Sequence, residues 1–245
     1  MAAASAAILS ACETPYTPIP YDREYAGVQT IHVVETSFPD QATTQKLATN
    51  GQNMASAMAA GAGLAGVLVG AVAAGIEAGI EAGQRDRIQA ALASVGFDGE
   101  AVFDAALEAA LTDDGYELEV YSADRDRTSE HVKLKPDPAF EDGAGILDVA
   151  GVGYGYQLVG GNTQWRPFVS VSVRLSDPHD PENVLMENRV VYNPVATPEV
   201  IINISPDGAY AFSDITDIEA DPVKAAEGLE VALAATAASV ASLLD

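Results

Sequence analysis

The chain has a single cysteine, Cys12, in 245 residues, so no disulfide can close within it and its stability must come from packing. Positive charge is almost as scarce: twelve Lys and Arg stand against thirty-six Asp and Glu, a formal net charge of −24. Such an excess of carboxylates repels phosphate backbones, which argues against nucleic acid as a partner, and it disfavours adhesion to anionic headgroups by charge alone. Aromatics make up only 7% of the residues, and the hydrophobic 48% is mostly Ala, Val and Leu, so a core of small aliphatic side chains is expected.

Signatures of chemistry are missing too. The three histidines, His32, His131 and His179, fall on separate expected strands or turns, and none has a second ligand at metal-site spacing. Asp177, His179, Asp180 and Glu182 come nearest to a metal cluster, but Pro178 and Pro181 break them up, and they read as a polar hairpin turn. There is no G-x-S-x-G elbow and no P-loop. The stretch GAGLAG, residues 61–66, fits a dinucleotide fingerprint but follows no strand. Carboxylate pairs such as Asp113 with Asp114 and Glu141 with Asp142 are expected by number in so acidic a chain, which leaves a carboxylate-based hydrolase as the least favoured alternative. We expect no catalytic residue, no metal and no cofactor.

What the chain does contain begins at its N-terminus. Ala2 to Leu9 is apolar apart from Ser5 and runs into Leu9, Ser10, Ala11 and Cys12. This resembles the lipobox of bacterial lipoproteins, in which an apolar signal segment ends in Leu, two small residues and Cys. The resemblance implies cleavage before Cys12 and acylation of its thiol. With three acyl chains, at about 0.8 kcal/mol per buried methylene, attachment would be effectively permanent. No Lys or Arg precedes Arg23, whereas secretory signals open on positive charge, so we expect the true start to lie further upstream. After Cys12, three prolines in six residues, Pro15, Pro18 and Pro20, impose an extended chain suited to a tether. An Asp after the cysteine retains some lipoproteins at the inner membrane. Glu13 stands there instead, so the outer membrane is expected.

Residues 54–76 are uncharged and long enough to span a bilayer, yet they are mostly Ala and Gly, which supply little transfer energy. Gly66 and Gly70 are four apart, as are Gly75, Gly79 and Gly83, and residues at that spacing share one helix face. The pattern resembles the glycine zippers of bacterial envelope proteins, in which smooth faces let backbones approach closely. Each interior glycine costs a helix about 1 kcal/mol, so close packing is expected to compensate. A hairpin within the protein, a self-association face and a membrane-inserted segment are the three readings.

The remaining chain alternates in period. GVQTIHVVETSF reads as a strand, and Arg85 to Ser94 and Glu100 to Leu111 as helices separated by Asp98 and Gly99. From Tyr116 the period becomes two, giving four strands in YELEVYSA, GILDVAGVGYGYQLV, WRPFVSVSVRL and NVLMENRVVYN. In the third, Val169, Val171, Val173 and Leu175 alternate with Ser170, Ser172, Arg174 and Ser176, which predicts a sheet with one wet face. Short Pro-rich links favour antiparallel hairpins. Tyr154 and Tyr156, interleaved with glycines, are a candidate stacking platform for a ligand. Asp221 and Pro222 open a long final helix with an apolar stripe of Leu229, Leu233, Val240 and Leu244.

The expected organisation is a signal segment over 1–11, a lipid-anchored tether over 12–26 and one α+β domain over 27–245, an antiparallel sheet covered on one face by helices and including the Gly/Ala-rich segment 54–83. This layout resembles that of uncharacterised bacterial envelope lipoproteins. The resemblance implies a non-catalytic protein facing the periplasm, with the membrane and another envelope protein as partners. The alternative is a membrane-associated protein that self-assembles through its glycine faces.

Overall fold

The computed structural model describes residues 16–35, 39, 41–47, 77–125, 129–159, 164–193 and 202–245. Cys12 and three of the zipper glycines, Gly66, Gly70 and Gly75, lie outside the described residues.

The chain runs α1 (Arg23–Ala26), β1 (Thr30–Val34), β2 (Thr43–Leu47), α2 (Glu77–Ser94), α3 (Gly99–Asp113), β3 (Glu117–Tyr121), β4 (Ala144–Val159), β5 (Trp165–Ser176), β6 (Val184–Tyr192), β7 (Ile202–Ile204), α4 (Ile215–Ala220) and α5 (Pro222–Ala241). Helix starts follow local chemistry: the carboxylates of Asp98 and Asp221 accept from the Ala101 and Lys224 amides, and Asp214 and Asp217 cap α4 reciprocally.

The fold is α+β, with one strongly curled sheet ordered β3-β1-β4-β5-β6-β7. That sheet is mixed rather than antiparallel. β4 pairs antiparallel with β5, and β5 with β6, as short links dictate. β1 lies parallel to both β3 and β4, because the connection from β1 to β3 carries α2 and α3 and so spans a crossover. β4 is long enough to hold two strands on one edge, β1 beside Ala144–Leu147 and β2 beside Gly155–Val159.

Helices cover one face. Val169, Val171, Val173 and Leu175 of β5 and Leu229, Leu233 and Val240 of α5 are all fully buried in one core. Pro222 to Leu244 is long and apolar enough to cross a membrane, but its apolar stripe is taken up by this core. The opposite face is not wet. Ser170, Ser172 and Ser176 are 4%, 1% and 2% exposed. Part of the cover is the β3–β4 connection, whose Val132 is buried with Val34 and Ile146, with Leu134 and Phe140 packed on them.

A bulge between Gly151 and Gly153 shifts β4 by one residue against β5 and exchanges its faces. Leu147 and Val149 point to the helices before it, Tyr154 and Tyr156 after it. Both tyrosines are therefore core residues rather than a stacking platform. The Tyr156 hydroxyl donates to the Ala225 carbonyl at 2.8 Å, and Tyr154 packs on Gly99.

The described part of the expected tether, residues 16–26, lies on the body. The Ile19 amide donates to the Glu187 carbonyl at 2.8 Å, the Glu187 amide donates back at 2.9 Å, and Tyr21 packs on the main core. Proline keeps this stretch extended, and an extended backbone can pair with a neighbouring strand.

Gly79 and Gly83 fall within α2, and a Cβ on Gly83 would meet nothing within 4 Å. Gly155 is the opposite case: its φ is +146°, and a Cβ there would stand 1.9 Å from the Thr43 carbonyl oxygen. Gly155→Ala is expected to lower stability by about 2 kcal/mol or more by forcing β2 off β4. Gly83→Ala should raise it by about 0.5–1 kcal/mol through helix propensity. Urea unfolding followed by circular dichroism measures both.

Candidate functional site

The covered face of the sheet carries a polar cluster assembled from three places in the sequence. Asp148 on β4 and Ser172 on β5 point the same way because period two, before the bulge, puts them on the face opposite the helices. The third contributor is His131, from the irregular connection that crosses above them.

His131 Nδ1 lies 3.1 Å from Asp148 Oδ2, and its Nε2 lies 3.0 Å from Ser172 Oγ. An ionised Asp148 only accepts, so Nδ1 carries the hydrogen, and on a neutral ring Nε2 then accepts from the serine hydroxyl. Asp148 also takes the Val132 amide at 2.8 Å and the guanidinium of Arg125, which donates in turn to the Glu130 carbonyl at 3.0 Å. Burial pushes the Asp148 carboxyl up. The hydrogen bonds from His131, Arg125 and the Val132 amide, with the Arg125 charge, outweigh it and hold the carboxyl below its usual range.

Around this hub the face is lined with arginines, in a chain that has few. Arg189 sits opposite Ser172 in register, reaches Glu130 at 3.4 Å and stacks on the Tyr16 ring at 4.1 Å. Burial and the charge of Glu187 push the Tyr16 hydroxyl up to about 12. Arg174 pairs with Glu187 across β5 and β6 at 2.8 Å.

Serine, imidazole and carboxylate in this order are the parts of an activated nucleophile. Their setting favours another role. Ser172 lies inside a paired strand and is 1% exposed. Its would-be base, His131, belongs to the very connection that covers it, so lifting that cover to admit a substrate would carry the base away. The cluster acts as a staple, in which one buried carboxylate ties an irregular segment to the sheet through two side chains and a main-chain amide.

The other two histidines are held locally. His32 packs edge-on against Phe140 and stands 3.4 Å from Glu119, in a recess of about 390 Å³ whose walls carry Glu117, Asp137 and Glu141. His179 lies in the β5–β6 turn, where the Asp177 carboxylate accepts its amide, and its Nε2 is 3.1 Å from the Phe140 carbonyl. Among the described residues, no three His, Cys, Asp or Glu side chains are grouped to hold a metal ion.

Sequence reasoning missed the staple, because residues 131, 148 and 172 share no local pattern. One signal was present, a lone aspartate within the apolar run GILDVAG, since a carboxylate there must find partners once buried. Comparison of the chain with protein-family models, with curated proteins and with solved structures finds no match.

Asp148→Asn is expected to cost about 3 kcal/mol, as for breaking a buried ion pair, and Ser172→Ala about 1 kcal/mol. The carboxyl ionises more readily in the folded chain, so its contribution is complete above about pH 4 and is lost as pH falls through the lower folded value. Urea midpoints taken from neutral pH down to about pH 2 should therefore fall more steeply for the native sequence than for Asp148→Asn.

Proposed function

We propose that the chain is a lipid-anchored protein of the bacterial envelope, held through Cys12, facing the periplasm and favouring the outer membrane. Its role is to bind or support another envelope component without catalysis. The observation that carries this reading is the junction of anchor and body: Leu9-Ser10-Ala11-Cys12 ends four residues before Tyr16, which already stacks on Arg189. An anchor so placed tethers a folded body through a short link. The closed Ser172–His131–Asp148 staple supports the non-catalytic half, since it is the arrangement on the described sheet that most resembles catalytic machinery and its cover includes its own base.

A second reading, self-assembly through the glycine faces, is favoured by one observation: Gly79 and Gly83 continue the Gly75 spacing into a helix, and Gly83 leaves its surface open. On that reading, Gly70→Leu with Gly75→Leu abolishes oligomers while the sheet and its helices stay folded; unchanged assembly refutes it.

For the leading reading, the chain is expressed in a bacterial host behind a complete secretion signal, and its intact mass is measured beside Cys12→Ser. The expected mass is that of a chain beginning at Cys12 plus acyl chains, with neither change in the variant. An unprocessed, unacylated native chain would overturn the anchor. Turnover of a cell-wall or lipid substrate by the purified protein, lost in Ser172→Ala, would overturn the non-catalytic role.

A further inference from the structure

We infer that the valley between α3 and α5 is a docking groove for a basic amphipathic helix of a partner protein, an inference that rests on the binding role proposed above. The two helices run parallel. Their first turns line the same groove, and at their far ends the Tyr116 hydroxyl meets the Leu244 carbonyl at 2.5 Å. Side chains three and four residues apart share a helix face, so Ala101, Val102 and Ala105 form one apolar row and Val223 and Ala226 the other.

The groove is open, about 620 Å³, and apolar where soluble surfaces are usually polar. Val223 is 56% exposed and Val95, which also lines it, 38%. Alanine walls suit a helix in particular: small side chains let a third backbone approach to about 8–10 Å from each of the other two, and ridges of larger residues then fill the valley.

Charge selects the occupant. Among the described residues, the groove is lined by Asp98, Glu227 and Glu230 and by no Lys or Arg. α3 carries Glu100, Asp104, Glu108 and Asp113 and no basic residue. Lys224, the one cation of α5, is turned away, 5.0 Å above the Phe212 ring. The positive ends of both helix dipoles are already answered by the capping carboxylates of Asp98 and Asp221. A second copy of this chain would bring the same acidic helices and a net charge of −24 to the contact, so it is repelled. A helix with an apolar stripe flanked by Lys or Arg satisfies floor and rim together.

The probe is a synthetic helix of about 18 residues, five turns, with a Leu stripe flanked by Lys, and its partner is the full chain. A matched peptide with Glu in place of Lys is the comparison, and fluorescence anisotropy reads binding at low and high salt. The Lys peptide should bind at least about tenfold more tightly than the Glu peptide, and less tightly as salt rises. Glu227→Lys with Glu230→Lys should reverse the preference, and Ala101→Trp, filling the floor at an exposed position, should abolish binding without altering the thermal melt. Equal binding of the two peptides, no binding of either, or affinity unchanged in these variants would overturn the groove. So would self-association in sedimentation that Ala101→Trp abolishes, since a second copy would then be the occupant. None of these readouts involves Cys12, so failure here leaves the anchor standing, and failure of acylation leaves the groove.

Discussion

The β4–β5 ladder, from Ile146 opposite Ser176 to Leu158 opposite Trp165, is the constraint on which the rest of the structure depends. Its length gives β1 and β2 a common edge, and its bulge decides what each face receives. Before the bulge, Leu147 and Val149 feed the helical core and Asp148 the opposite face. After it, the tyrosines turn inward and Gln157, fully buried, turns outward to donate to Asn193 at 2.6 Å. Alternation alone gives Ile146 to the smaller cluster and Leu147 to the main core; the inserted residue then lets Asp148 stay on the face opposite the helices while Tyr154 and Tyr156 join the main core. A strict alternation through the whole of β4 would have sent either Asp148 or Tyr156 to the wrong side.

Asp148 shows how an irregular segment is held without secondary structure. The β3–β4 connection has no ladder of its own, and its main-chain groups need partners wherever they are buried. A carboxylate accepts from several directions at once, so one residue replaces a row of strand bonds. The cost of burying that charge is met by Arg125, His131 and the Val132 amide together, and loss of any one leaves the others around an undersatisfied group. Ser172 completes the set from the sheet side. The resemblance to a hydrolytic triad follows from shared requirements, because an imidazole fixed by a carboxylate on one nitrogen offers an acceptor on the other, whatever the purpose.

Much of this was legible in the sequence where the determinants are local. β4, β5 and β6 announce themselves by alternation, and α3 and α5 by helical spacing with Asp98, Asp221 and Pro222 at their starts. The elements that escaped are short or polar: β2 reads TTQKL, β7 is three residues long, and α1 and α4 are single turns or little more. Parallel pairing of β1 escaped because it depends on which strand the chain meets after a long helical connection, and no residue in TIHVV encodes that. The serine face of β5 is polar in sequence yet buried, since polarity fixes which groups need partners and not whether water or protein supplies them. Tyr154 and Tyr156 were misplaced for a narrower reason. Alternation gave their common face correctly, but the bulge at Gly151 to Gly153 set which face it was.

The packing of Tyr16 and Ile19 against β6 has a geometric consequence for an acylated chain. Four residues from Cys12 to Tyr16 reach at most about 14 Å, less than the radius of gyration of about 17 Å expected of a body this size. On so short a leash the body could not roll over. Tyr16 stacks on Arg189, so acylation of Cys12, as proposed, would keep the arginine-lined side of the sheet toward the lipid and the acidic helices toward the aqueous phase. Confinement of that kind would give a particle with one arginine-lined and one acidic side a fixed orientation, and would present the valley between α3 and α5 at a nearly constant height above the bilayer.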